Sequence, residues 1–577
     1  MSNKSKGKPI EKKNKTSASS NEDFGFLNQS FYSKNKLWRS IILGITLFFS
    51  IILFNARISE GGDDSSYILA AFKYANDFAN YSFTFQAPFY PLFLSVFVKI
   101  AGINLLLLKG LSVLFNLTGV ALLFYTLRNR ENGFIALTVL LLVALNMAFH
   151  YYAGQTYTEA FYFMLQSAYI FLIAKYYDSA ENSKSNTILL LSIGFFAFLL
   201  SFTKNAGIVS PIAAILFFAL YKQFKAILLF LAGFAVPKLI FEMSRKFIWQ
   251  STNQYNSQST ILLQKDPYDA KKGMEDFSGF IDRFTENCDL YLSKNLLKIF
   301  GFVDEYYGNN HSFMTVMVIT LMVVGLFYAY KNNHKILLFA GLYASAMTVL
   351  SFIILQTRWD QPRIIVIYLP IYLWLIFYGL VSLSKQFGFG FKVTAILLSF
   401  SLIAGSAVSS LRAGAKNIPS LTRNLKGDLY YGYTPDWVNF LKMSSWIGEN
   451  LNKNDLVTSR KAPMSFIYSN GKEFYPIYSV LSTDADTVVK IFKEKKITHV
   501  MLASLRRSPQ KADGYIINTI HRMIAPVLHK YPQSLTQVHV EGQYENTTLY
   551  KINYDKISPE FANPNPQLPL QAGQQPQ

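Results

Sequence analysis

Apolar runs of roughly 18–22 residues, each long enough to cross the hydrocarbon core as a helix, recur along this chain. They fall near 38–56, 105–127, 133–149, 158–175, 187–203, 206–222, 225–243, 313–330, 335–355, 364–383 and 392–411. Short basic loops separate them: Arg128-Asn129-Arg130, Lys175 to Lys184, Lys222 to Lys225, Lys331 to Lys335 and Lys385 to Lys392. Cytoplasmic loops of polytopic proteins carry the Lys/Arg surplus, and with this set of spans all five loops fall on that side. The lysines of the polar N-terminal tail, Lys4, Lys6, Lys8, Lys12, Lys13 and Lys15, belong there too. The N-terminus is therefore expected inside and the first loop outside.

Segment 86–101 breaks the pattern. It is short, carries Pro88, Pro91 and Lys99, and as a span would put Arg128 and Arg130 outside. It reads as a helix in the outer interface. Residues 244–312 read as a long outer loop. From 412 to 557 helix-like stretches (Asp436–Leu451, Ala485–Lys495, Tyr515–Lys530) alternate with strand-like ones (Leu456–Ser459, Phe474–Tyr478, Thr498–Leu502, Thr547–Ile552), which predicts an α/β domain. The expected fold class is a polytopic α-helical membrane protein with about 11–13 transmembrane helices. Its membrane domain covers 37–411, with outer loops at 57–104 and 244–312. A C-terminal extracytoplasmic α/β domain covers 412–557, and disordered tails lie at 1–36 and 558–577.

Composition supports this. Of 577 residues 51% are hydrophobic and 16% charged, against about 25% charge in soluble domains. The net charge of +20 sits in clusters between apolar runs, so nucleic-acid binding is not expected. The first apolar run lies behind a long polar tail without a small-x-small site and reads as an uncleaved span. Cys288 stands alone, so an internal disulfide and a Cys-rich metal site are excluded.

Candidate chemistry gathers in the outer loops. The first reads Arg57-Ile-Ser-Glu60-Gly61-Gly62-Asp63-Asp64-Ser-Ser-Tyr67. Asp63 has two readings that are compatible, the N-cap of a helix starting at Ser65 and a base or cation ligand at the membrane surface. Adjacent carboxylates raise at least one pKa, which suits proton transfer. Glu159 opens an apolar helix, where the helix dipole favours an acid and where membrane depth makes it costly. Lys204 lies in a turn between two spans, reading either as ordinary snorkelling or as a site cation. Arg358, Asp360 and Arg363 share one late loop. Arg363 heads a helix, where a cation opposes the dipole, so either a phosphate or an ion pair with Asp360 or another carboxylate would account for it. Lys265, Asp266, Asp269, Asp304 and Glu305 look like solvated loop charge. Walker A, Rossmann, HExxH and usable GxSxG motifs are absent from the sequence.

Four pieces in this order resemble the GT-C class of membrane glycosyltransferases, in the branch holding protein O-mannosyltransferases and the lipid A aminoarabinose transferase. They are Asp63-Asp64-x-x-Tyr67, Ala87-Pro88-Phe89-Tyr90-Pro91-Leu92, Thr158-Glu159-Ala160-Phe161, and Pro362-Arg363, with an α/β domain after the last span. The resemblance implies a GT-C fold and transfer of a sugar, with inversion, from a polyprenyl-phosphate donor to a glycan, lipid or protein acceptor on the extracytoplasmic side of a cell inner membrane. It implies Asp63 or Asp64 as base. Relatives often carry Asp-Glu, so Asp-Asp leaves that choice open. It implies Lys204, Arg358 and Arg363 on the donor phosphate, Glu159 shaping the site or binding a cation, and Tyr67 in the substrate site. A divalent cation serves some members, and no residue is assigned to one here. The rival readings are a transporter or lipid flippase, another polyprenyl-dependent polymerase or ligase, and a structural scaffold. A transporter would place charge mid-membrane in repeated halves, and no repeat is visible.

Overall fold

The computed structural model describes residues 25–83, 86–179, 184–249, 261–266, 272–303, 308–508 and 511–563. All the apolar segments are helical. The first stretch comprises α1 (Gly25–Ser33), α2 (Asn35–Ile52), α3 (Asp63–Asn76), α4 (Phe89–Ala101), α5 (Leu105–Leu127), α6 (Gly133–Leu145), α7 (Met147–Ala153) and α8 (Thr158–Asp178). It continues with α9 (Lys184–Thr203), α10 (Val209–Leu220), α11 (Phe224–Ile248), α12 (Phe277–Asp289), α13 (Ser312–Lys331), α14 (Lys335–Ile354), α15 (Arg363–Val366), α16 (Leu369–Phe387) and α17 (Phe389–Leu425).

Among the described residues seven helices are by themselves long and apolar enough to cross a bilayer: α2, α5, α9 from Asn186, α11, α13, α14 and α17. The bent pair α6–α7 makes an eighth, with 52° between its halves. Asn146 sits at that bend, its Oδ1 accepting from Ala148 N at 3.0 Å and its Nδ2 donating to Ile299 O at 2.9 Å. The other expected spans fall short of that measure for local reasons. Helix α8 carries Glu159, Lys175 and Asp178, α10 is only 12 residues, and α16 is separated from α15 by a break at Ile367-Tyr368.

The basic turns meet at one end of the bundle. Arg130 pairs with Asp178, Lys335 lies over the rings of Tyr177 and Tyr221, and Glu131 accepts from His334 at 2.7 Å and Trp374 at 2.6 Å. The acidic loops and the α/β domain meet at the other. Helix α6 is buried on nearly every side and forms the bundle centre. Glycines allow the closest helix contacts. A Cβ on Gly194 would lie 2.1 Å from Phe230 O, and one on Gly233 would lie 2.2 Å from Leu191 O, so α9 and α11 pack backbone to backbone. Gly194→Leu is expected to force this pair apart, costing about 1–3 kcal/mol or more. A lowered thermal midpoint of the detergent-solubilised protein would register it.

Three boundaries differ from the sequence reading. Residues 25–33, counted with the polar tail, form a helix. The 244–312 stretch is less loop than expected, because α12 runs through a π turn at Leu290–Asn295 into Leu296–Ile299. The break placed at 411 falls inside α17, whose 37 residues span about 55 Å at 1.5 Å per residue. That exceeds the roughly 30 Å apolar core, so α17 also carries the chain into the α/β domain.

That domain holds α18 (Pro435–Asn450), β1 (Val457–Ser459), α19 (Ala462–Tyr468), β2 (Phe474–Pro476), α20 (Ala485–Glu494), β3 (His499–Ala503), α21 (Thr519–Lys530), β4 (Leu535–Glu541) and β5 (Thr547–Ile552). The sheet order is β2-β1-β3-β5-β4, with β1, β2 and β3 parallel and β4 and β5 antiparallel. Helices α18 and α19 pack on one face, and α20 and α21 on the other. Strand β4 and helix α19 were not foreseen. The outward-facing β4 is largely half-exposed and mixed in character, Leu-Thr-Gln-Val-His-Val-Glu, and α19 is only seven residues.

Candidate active site

The first loop after α2 turns sharply at Gly62, whose φ of +82° suits glycine, and α3 begins at once with Asp63. Asp63 is therefore the first helical residue, and no side chain caps the helix. The two aspartates diverge from there. Asp64 has 0% exposure. Its Oδ2 accepts from Ser59 N at 2.8 Å, and its Oδ1 from Ser59 Oγ and Ser65 N, both at 2.9 Å. Burial raises its pKa, opposed by the Lys109 charge and by these bonds. Its oxygens are committed to holding the loop.

Asp63 faces the opposite way. Its side chain is 37% exposed, and its Oδ2 accepts from Arg363 Nη1 at 2.5 Å. Arg363 comes from the start of α15, 300 residues away, and its guanidinium stands 5.5 Å over the Tyr157 ring. The carboxylate partner foreseen for Arg363 is thus Asp63 rather than Asp360. Asp360 is taken by Lys294 at 2.5 Å, Asn295 at 3.0 Å and Lys298 at 3.7 Å. Arg358 lies in the short turn Thr357–Trp359, and its side chain is outside the described residues.

Glu159, only 4% exposed, accepts from Lys204 Nζ at 2.8 Å. Lys204 turns inward instead of snorkelling. The second Glu159 oxygen has no hydrogen-bond partner, and Glu159 lines a small internal cavity with Asn116, Tyr152 and Ile367. The charges of Glu159 and Asp63 both act on Arg363. Tyr67, from the second turn of α3, donates to Gln86. Burial and the Asp63 and Glu159 charges hold its phenol well above the usual range. Asp63, Tyr67, Glu159, Lys204 and Arg363 thus form one neighbourhood at the domain end of the bundle, with Asp64 behind it.

Two cations of this neighbourhood were missed. Lys109 lies in the second turn of α5, fully buried, donating to Asn55 Oδ1 at 3.1 Å and Gln155 Oε1 at 2.9 Å. A lone lysine within a span is itself a signal, and it was legible. Lys461, from the α/β domain, donates to the carbonyls of Glu60 at 3.2 Å and Gly61 at 3.1 Å. Burial, with the Arg460 charge, lowers its pKa to about 8, against the pull of Asp63, Asp64 and Glu60. No local pattern marks it. Burial also raises the Glu60 carboxyl.

Among the described residues no three His, Cys, Asp or Glu side chains converge on a metal-sized point. Lys265 and Lys272 pair with Asp276 at 3.2 Å and Asp266 at 3.0 Å in exposed loop. Asp269, Asp304 and Glu305 lie outside the described residues.

Asp64→Ala is expected to destabilise the protein rather than to act on chemistry alone. It leaves Ser59 N and Ser65 N without their acceptor and removes the carboxylate acting on Lys109. Leaving a buried donor without a partner costs about 1–3 kcal/mol. The check is the thermal midpoint against wild type.

No family model matches the chain, and no curated protein matches it in sequence. By structure it is similar to ArnT from Cupriavidus metallidurans bound to undecaprenyl phosphate, with TM-score 0.55 and 12% identity, over 90% of this chain and 99% of that one. It is also similar to the Archaeoglobus fulgidus oligosaccharyltransferase tethered with an acceptor peptide containing the NVT sequon, with TM-score 0.52 and 14% identity, over 82% and 70%. A further match is AglB from the same organism in complex with an inhibitory peptide and a dolichol-phosphate, with TM-score 0.50 and 12% identity, over 90% and 75%. At these identities the likeness is one of fold. The chain has the fold of the GT-C membrane glycosyltransferases, as the motif order implied.

Proposed function

We propose that this protein is a membrane glycosyltransferase moving a sugar from a polyprenyl-phosphate donor to an acceptor on the extracytoplasmic side, with inversion. The observation that carries this reading is the Asp63–Arg363 pair at 2.5 Å. It puts a reachable carboxylate and a phosphate-binding guanidinium side by side where two distant loops meet. The solved structures of this fold with undecaprenyl phosphate and with dolichol-phosphate support a lipid-linked donor.

In this mechanism Asp63 takes the proton of the acceptor hydroxyl as that oxygen attacks the anomeric carbon. The bond from that carbon to the phosphate oxygen breaks, and polyprenyl phosphate leaves with the electron pair. The leaving group needs positive charge more than it needs an acid. Arg363 supplies it, with Lys204 as second cation and Arg358 as a third on the same loop. Arg363 has further N–H donors beyond the one spent on Asp63. A phosphate that draws on them loosens its hold on Asp63 and frees the base. Glu159 fixes Lys204, and Tyr67 lines the sugar side. Asp64, saturated and buried, is the scaffold, which makes Asp63 the base.

The test is release of polyprenyl phosphate by the purified protein in nanodiscs, given a panel of polyprenyl-phosphate sugars and acceptors. Turnover supports the reading. Absence of both turnover and binding with every lipid-linked sugar would shift it to a transporter or flippase.

A further inference from the structure

Residues 53–62 join α2 to α3 and so place Asp63. The turn before Asp63 is closed from within by Gly62 N, which donates to Ser59 O at 3.0 Å, and by Ser66 N, which donates to Gly62 O at 3.2 Å. Asp64 takes Ser59 N and Ser65 N. The other carbonyls of this link need partners as well, because a backbone oxygen withdrawn from water without one is costly.

Those partners come from beyond residue 411. Asn417 Nδ2, on α17, donates to Ile52 O at 3.1 Å and to Phe54 O at 2.6 Å. Tyr433 OH donates to Ile58 O at 2.5 Å, and Arg57 returns a bond to Gly432 O. Lys461 Nζ takes the last two carbonyls before the glycine turn, Glu60 O at 3.2 Å and Gly61 O at 3.1 Å. The backbone that leads to Asp63 is thus gripped by side chains of a different part of the chain.

Lys461 is the member of this set that stands beside Asp63. A Cβ on Gly62 would lie 3.5 Å from its Nζ. Its own backbone is fixed at the end of β1, where Lys461 N donates to Ser459 Oγ at 3.2 Å, and α19 starts from it. Helix α19 packs along α3, with Phe466 edge-on to Phe72 at 5.1 Å, and Glu473, just before β2, pairs with Lys73. The domain that carries Lys461 is therefore held against the helix that carries Asp63. Two successive carbonyl oxygens aimed at one point repel each other, and a cation between them turns repulsion into attraction. Lysine suits the place, being a compact charge with three N–H donors. Asp63, Asp64 and Glu60 also draw this charge, against Arg460.

We propose that Lys461 is a positioning residue. By clamping the Glu60 and Gly61 carbonyls it fixes the turn from which Asp63 is presented, which makes the α/β domain a working part of the site. The clamp stands by itself; its effect on rate rests on the transfer reading.

The test uses the full-length protein in nanodiscs. Hydrogen exchange of the 57–66 stretch is read by mass spectrometry for wild type, Lys461→Met and Lys461→Arg. Lys461→Met removes both bonds, so exchange there should rise about tenfold while the rest of the α/β domain stays protected. Lys461→Arg keeps a charge and donors and should stay close to wild type. Sugar transfer is then measured in the same variants. Lys461→Met should lower kcat about 10–100-fold, the cost of a group displaced by about 1 Å. Donor KM should stay near wild type, because Arg363 and Lys204 are untouched. In an Asp63→Asn background the same substitution should cost nothing further, an outcome that a domain merely coming loose would not give. Lys461→Gln, which keeps one donor without the charge, takes the place of Lys461→Met if that variant lowers the thermal midpoint. Unchanged exchange over 57–66, or an equal loss of kcat in the Asp63 and Asp63→Asn backgrounds, overturns the positioning role. A loosened turn in a protein whose wild type transfers no sugar would leave the clamp standing and bring down the transferase reading instead.

Discussion

Asp63→Asn should lower kcat by about 10²–10⁴, the range contributed by a positioned general base. The amide is the same size and its carbonyl can still accept from Arg363, so the loop and the ion-pair partner stay in place. What is lost is the ability to take the acceptor proton. KM for the lipid donor should move little, because the phosphate cations are intact. Asp64→Asn gives the contrast. Asp64 has both oxygens committed to Ser59 and Ser65, and an amide there turns an N–H₂ toward donors. Its main signature is lower stability, with a smaller loss of rate among molecules that remain folded. Full turnover in Asp63→Asn at wild-type stability would remove Asp63 as the base.

Arg363→Gln should cost about 10²–10³ in kcat, the range for one preorganised donor facing developing charge. Negative charge grows on the phosphate as the sugar leaves, so the loss should fall more on kcat than on donor KM. The variant also leaves Asp63 without its ion-pair partner. Arg363→Lys restores the charge but not the planar fork, so it should recover only part of the rate. Rapid turnover by Arg363→Gln with a purely raised KM would make Arg363 a docking group and leave another cation to stabilise the leaving phosphate.

The foreseen site residues and their observed surroundings show where local pattern stops. Asp63 and Asp64 stand out as a pair, and nothing in the dipeptide says which is free. That depended on the turn at Gly62, which starts α3 at Asp63 and aims Asp64 back at Ser59. Arg363 is suspicious from its place at a helix start. Its partner is 300 residues away, beyond the reach of any local rule. Lys109 is legible as a charge inside an apolar run, though nothing local ties it to the first-loop acids. Lys461 could not have been found, since its contact with Gly61 depends on how the α/β domain docks.

Hydrophobic periodicity and the placement of basic loops are properties of consecutive residues. The bilayer's thickness and the cost of unpaired backbone groups convert them directly into helices and their order. For this chain they were enough to specify a helical membrane bundle, the bounds of α5 to the residue, and a C-terminal α/β domain. The strength of each helix as a span, the 52° bend at Asn146, the extension of α17 past its apolar stretch and the pairings Asp63–Arg363 and Glu159–Lys204 were set by packing. Those features depend on contacts between segments tens to hundreds of residues apart, whose geometry exists once the helices and the domain have come together.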